Sequence, residues 1–136
     1  MVDKIVNMSE QLFFKAQHYE KENDWQSAII LYKSVLKLRP DYSEAHHNLA
    51  IAFRNEGQKA EALTSSMLAA KLAPNNPIIQ FSYGLSLEQL GKTSKAIPVY
   101  KKAVKLRPNY YAALNNLGRL LEQRGRATEA IKLLKL

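Results

Sequence analysis

Three prolines stand 34 residues apart, at Pro40, Pro74 and Pro108, and each closes a similar phrase: LKLRP, AKLAP or VKLRP. A period held that strictly constrains the fold before composition does, because each period is then one supersecondary unit that buries its apolar face only against its neighbours. Other columns keep the same step. Ala28, Ala62, Ala96 and Ala130 form one, and Ala16, Ala50, Gly84 and Gly118 form a second column of small residues. Tyr19, Phe53, Leu87 and Leu121 stay large and apolar, as do Ile29, Leu63, Ile97 and Ile131, and Leu38, Leu72 and Leu106 precede the prolines.

Each period divides into two helices of about 13 residues. In SEAHHNLAIAFRNEG, the residues Ala45, Leu49, Ala50 and Phe53 form a 3.6-period stripe that ends at Gly57, and KAEALTSSMLAAKLAP carries a second helix up to Pro74. Asn23, Gly57, Gly91 and Gly125 share the first stop, where a left-handed residue is expected. Proline cannot continue a helix and disfavours helical dihedrals in the residue before it, which sets the second stop. Pro98 falls inside a second helix; with Ser94 as N-cap it would lie in the first turn, where its missing N–H costs nothing. The small columns predict close helix approach, with a large residue opposite each Ala or Gly. The expectation is an all-α fold.

At 136 residues the chain is one domain's worth, and 46% hydrophobic with 24% charged residues places it among ordinary globular proteins. The absence of cysteine excludes disulfides, thiolate metal sites and a cysteine nucleophile. No apolar run is long enough to span a bilayer and MVDKIVNMSE lacks the apolar stretch of a signal peptide, so the expectation is a soluble chain in the cytoplasm. Catalysis has little to work with. His46 and His47 are adjacent on a helix and point about 100° apart, so they cannot chelate one ion together. Ser65 and Ser66 have no His or Asp at a suggestive spacing, and no glycine-rich loop follows a strand. The expectation is no enzyme activity, no metal and no cofactor.

Small, large, Ala, aromatic and Pro columns in a 34-residue helix–turn–helix unit resemble the tetratricopeptide repeat (TPR) over nearly the whole chain. The units are 9–42, 43–76, 77–110 and a partial 111–136, after a leader at 1–8. Ser66 stands where Tyr32 and Tyr100 supply the aromatic, and Trp25 where many repeats carry Tyr. The resemblance implies a right-handed solenoid of stacked antiparallel helix pairs, with first helices lining a concave groove that holds a peptide or partner segment. The groove residues are then Phe13, His47, Phe81 and Asn115; Gln17, Ile51, Leu85 and Arg119; Glu20, Arg54, Glu88 and Glu122; and, beside them, Phe14, Asn48, Ser82 and Asn116. Of these, Phe13, Ile51, Phe81 and Leu85 are expected to face solvent as apolar binding surface.

The cochaperones that bind chaperone tails carry a carboxylate clamp of Lys, Asn, Asn, Lys and Arg. Its places here are Phe13, Gln17, Asn48, Ile78 and Ser82 or, one unit later, His47, Ile51, Ser82, Ala112 and Asn116. No cation stands at any of them, which disfavours chaperone tails. Asn48 and Asn116, in phrases such as AALNNLGRLLEQRGRATEAI, resemble the asparagine column of protein O-glycosylating transferases, whose amides pair with a peptide main chain. Two alternatives to a protein-interaction scaffold follow. One is a substrate-recruiting arm of a larger enzyme. The other is binding of nucleic acid or of an acidic partner through the net charge of +8, all of it in the C-terminal half: residues 77–110 carry six basic and one acidic side chain, and 111–136 carry five and two. Nucleic acid is disfavoured, because these lysines are not interleaved with exposed aromatics and many sit at helix C-termini, where they offset the macrodipole. Finally, AIKLLKL leaves Ile131, Leu133, Leu134 and Leu136 without a following helix, so a fragment or self-association through that end is expected.

Overall fold

The computed structural model describes residues 2–134, with side chains described through Arg126 and again at Leu133 and Leu134. Among the described residues there are only helices, turns and loops. The helices are α1 (Val2–Lys21), α2 (Trp25–Leu38), α3 (Ser43–Asn55), α4 (Lys59–Leu72), α5 (Pro77–Gln89), α6 (Thr93–Leu106) and α7 (Tyr111–Leu134). The eight residues before the first expected repeat are helical from Val2 onward and continuous with α1.

The two kinds of helix end are built the same way each time. Asn23 (φ 59°), Gly57 (φ 76°) and Gly91 (φ 73°) are left-handed. Behind each, the next N–H returns to a carbonyl five residues back: Asp24 to Tyr19, Gln58 to Phe53 and Lys92 to Leu87, all at 2.9 Å. This is the Schellman arrangement, which satisfies carbonyls the helix leaves open. Before Pro40, Pro74 and Pro108 the capping residues Arg39, Ala73 and Arg107 leave helical dihedrals, with ψ of 82°, 68° and 92°. That is the proline's restriction on its predecessor.

Two expectations fail. Lys92, not Ser94, caps α6, without a side-chain bond, so Pro98 sits beyond the first turn of the helix. Pro98 is exposed, and the helix runs on past the hydrogen bond that the proline removes. Gly125 does not end a helix: α7 continues through it for 24 residues. Glycine permits the left-handed turn without requiring it, and the Arg126 guanidinium bonds Glu122 one helical turn back across the site. The consequence is local. Leu121 is 42% exposed, whereas its column mates Phe53 and Leu87 are 6% and 2% exposed beneath their second helices. Leu133 and Leu134 are exposed as expected; the Ala130, Ile131 and Leu136 side chains lie outside the described residues.

The chain forms two compact units, Met1–Pro74 and Asn75–Leu136. In the first, α1 pairs with α2 and α3 with α4, and α2 against α3 joins the pairs. Its core is Phe13, Ala16, Ala28, Ile29, Tyr32, Val35, Ala45, Leu49, Ala52, Phe53 and Ala62. In the second, α5 pairs with α6, and α6 packs on α7. The small columns pack as expected at Ala16, Ala28, Ala50, Ala62 and Ala96, which are fully buried, but not at Gly118, which is exposed and has nothing within 4 Å of where a Cβ would stand. A Cβ on Gly84 would meet the Tyr100 ring at 2.5 Å, so this glycine is what lets α5 and α6 close around that tyrosine.

Candidate functional site

The columns expected to line a groove sit on α1, α3, α5 and α7, and within each unit side chains of the second helices contact them. In the first repeat, Phe13 of α1 stands edge-on to Tyr32 of α2 (5.6 Å between centroids) and stacks on Tyr42 (5.0 Å). The Arg39 guanidinium lies 4.3 Å from the Tyr42 ring centre. The third repeat repeats the set in the same columns: Phe81 lies 5.7 Å from Tyr100 and 5.0 Å from Tyr110, with Arg107 4.9 Å over Tyr110. Such contacts add to the burial of the rings themselves.

A polar relay accompanies each aromatic set. The Tyr32 hydroxyl donates to Glu20 Oε1 at 2.6 Å, and Asn48 of α3 hydrogen-bonds the same hydroxyl. Burial pushes the Glu20 carboxyl up, against the lowering effect of the Tyr32 hydrogen bond. Tyr32 is pushed up as well, by burial and then by its carboxylate partner. In the third repeat the Tyr100 hydroxyl donates to Glu88 Oε1 at 2.9 Å, Asn116 Nδ2 of α7 donates to that hydroxyl at 3.4 Å, and Arg119 clamps Glu88 Oε2 at 2.6 Å. Each relay therefore links a first helix, its second helix and the next first helix.

The middle repeat replaces the whole set. His47, Arg54, Ser66, Ala73, Asn76 and Ser82 stand where the other repeats carry Phe, Glu, Tyr, Arg, Tyr and Asn. Ser66 is fully buried and turns its hydroxyl to the Leu63 carbonyl of its own helix. Asn76 caps α5, accepting from the N–H groups of Ile78 and Ile79. His47 is held neutral: burial, then the Arg54 charge, lowers its pKa to about 4, and its Nδ1 is buried without a hydrogen-bond partner.

Phe13 and Ser82 are buried, and this corrects the expectation that Phe13 faces solvent, because Tyr32 and Tyr42 cover it. Gln17, Glu20, His47, Asn48, Ile51, Arg54, Phe81, Leu85, Glu88 and Asn116 are partly exposed, and Asn115 and Arg119 are exposed. Phe81 presents one side only, since its ring also packs on two tyrosines. Sequence reasoning missed Tyr32 and Tyr100, the buried partners of these columns. The signal was there: a Glu twelve residues before a Tyr occurs twice, and Arg54 and Ser66 change together. Phe14, expected beside the other columns, is 77% exposed among Gln11, Lys15 and His18 on α1, and Glu122 is exposed as well. Among the described residues no cluster of His, Asp or Glu could hold a metal, and no helix is long and apolar enough to cross a membrane.

A family model for the tetratricopeptide repeat matches residues 15–77 and 83–136. Among solved structures, the Sgt2 TPR domain from Aspergillus fumigatus is similar at 21% identity over 90% of this chain and 82% of that one, with a TM-score of 0.82. The first TPR of Spaghetti (RPAP3), bound to the HSP90 peptide SRMEEVD, is 23% identical over 86% and 93%, also with a TM-score of 0.82. Thermobaculum terrenum O-GlcNAc transferase is 26% identical over 86% of this chain but only 22% of its own length, with a TM-score of 0.77. The comparison with curated protein sequences gives no significant match.

Proposed function

The chain belongs to the tetratricopeptide-repeat family, and on that premise we propose that it is a protein-interaction scaffold without chemistry of its own, taking an extended peptide segment along its first helices. The observation that carries this reading is on α3, where Asn48, Ile51 and Arg54 stay partly exposed on neighbouring turns while Leu49, Ala52 and Phe53 supply the core. An apolar contact, a cation and an amide on one strip suit a main chain with mixed side chains. The HSP90 peptide bound by the Spaghetti domain ends in a carboxylate. The five clamp places here hold Phe13, Gln17, Asn48, Ile78 and Ser82, with no cation among them, which argues against such a tail. Replacing Asn48 and Asn116 together with Ala tests the reading against a fluorescent pool of random dodecapeptides. Binding should weaken about fivefold or more across sequences; unchanged binding would remove the amide strip from the site.

A second reading rests on charge. Residues 1–74 carry nine basic and nine acidic side chains and residues 75–136 carry eleven and three, together the chain's 20 and 12, so the second unit holds the whole excess. On α6, Lys95, Lys101, Lys102 and Lys105 are exposed, and the helix itself carries no acidic residue. Affinity for duplex nucleic acid that fell steeply as salt was raised would favour this reading over the peptide groove. The likeness to the transferase supports a third, a recruiting arm for a catalytic domain, which a longer native chain would reveal at once.

A further inference from the structure

We infer that Glu20 and Tyr32 in the first repeat, and Glu88 and Tyr100 in the third, are positioning residues that orient the Asn48 and Asn116 amides so that each offers its carbonyl oxygen to a main-chain N–H of a bound peptide. This rests on the peptide-groove reading and adds a polarity to it.

A phenol has a single hydrogen, and in both repeats it is directed at a carboxylate oxygen, at 2.6 and 2.9 Å. A carboxylate only accepts, so the hydrogen stays with that bond and the phenolic oxygen is left as an acceptor. Whatever else bonds the phenol must donate, and of the two ends of an asparagine amide only the NH2 can. Asn116 does so, with Nδ2 at 3.4 Å from the Tyr100 oxygen, and Asn48 bonds Tyr32 in the same columns. The amide is planar, so fixing Nδ2 against the buried tyrosine fixes Oδ1 on the other side. Both asparagines keep part of their surface open, whereas both tyrosines are fully buried.

A free side-chain amide can turn either end toward a ligand; one held by a relay is already set, which removes an ordering cost from binding. Arg119 strengthens the second relay by holding the other oxygen of Glu88. The middle repeat has no equivalent. Arg54 only donates, and the Ser66 hydroxyl is committed to its own helix.

The test uses the full chain and needs no identified ligand for its first arm. In nuclear magnetic resonance of the free protein, one Nδ2 proton each of Asn48 and Asn116 should exchange with water more slowly than its geminal partner. Tyr32→Phe with Tyr100→Phe should abolish the difference while keeping the ring volume. Equal exchange of the two protons in the unsubstituted chain would overturn the inference without any variant. In the second arm the double Tyr→Phe variant should bind the random dodecapeptide pool about fivefold more weakly. Adding Asn48→Ala and Asn116→Ala should cost little more, because the two pairs act as one. A pool with N-methylated main chains should bind the original and the Tyr→Phe chain alike. If Asn→Ala weakens binding and Tyr→Phe does not, the positioning role is overturned and the groove reading stands. If the exchange pattern holds but Asn→Ala leaves binding unchanged, the groove reading is overturned and the inference about peptide polarity goes with it.

Discussion

The helix pairs α3–α4 and α5–α6 share a period and end at matching turns, yet their second helices are filled differently. In α6 the buried residues are Ala96, Ile97, Tyr100 and Ala103, so one large aromatic fills the space that Gly84 leaves on α5. In α4 they are Ala62, Ser65, Ser66, Ala69 and Ala70, all small, and the bulk comes from Leu49 and Phe53 on α3. One backbone thus accepts either a large aromatic or a serine at the centre of the second helix, while the first helices of both pairs keep a large buried residue in one column, Phe53 and Leu87. The same exchange removes the relay, the stacked tyrosine and the overlying arginine from the middle repeat together. The pair α1–α2, with Phe13, Tyr32 and Tyr42, sides with α5–α6.

Five substitutions break or sharpen that contrast. Tyr100→Ser makes the third repeat resemble the second at its centre. It should cost about 3–5 kcal/mol in urea unfolding, the range for losing a buried aromatic, whereas Ser66→Ala should cost less than about 1.5. Equal effects would mean that the tyrosine is not what fills this pair. Gly84→Ala should lose about 1–3 kcal/mol, because the added methyl meets a ring that is itself fully buried. Combined with Tyr100→Ser the penalty of the methyl should largely vanish, since the ring it meets is gone.

His47→Phe installs the residue that Phe13 and Phe81 supply in the same column, and its effect is read against pH. The folded pKa of His47, about 4, lies below the unfolded value near 6.5, so the unfolded chain binds the extra proton first. Stability from this group is therefore complete above about pH 6.5 and is lost as pH falls toward 4, at no more than about 1.4 kcal/mol per pH unit. Between pH 7 and 5 the original chain should lose roughly 1–2 kcal/mol that the variant retains; parallel pH profiles would show that His47 titrates freely. The smallest effect is at Gly118, where nothing lies within 4 Å of an added Cβ. Gly118→Ala should gain about 0.5–1 kcal/mol by helix propensity, opposite in sign to Gly84. A loss there would mean that something packs on this face of α7.

The sequence alone determined the period, the helical halves and six of the helix ends, because these depend on local chemistry: a left-handed Asn or Gly, a proline, and alternation along one helix. It also aligned the columns that the family resemblance assigns to a groove, since 34-residue spacing places a residue at the same point of every repeat. Burial within a column was not legible. Phe13 and Phe81 share one, but the first is covered and the second is partly open, because exposure depends on which side chains of other helices arrive there. The seventh helix was decided only in three dimensions. Gly125 has the same local sequence character as Gly57 and Gly91, yet α7 runs straight through it. A glycine lowers the cost of a turn, but packing across the turn selects it. The relays belong to the same class. Their members are 12 and 16 residues apart in sequence, and only the closing of second helices onto first helices brings phenol, carboxylate and amide within hydrogen-bonding distance.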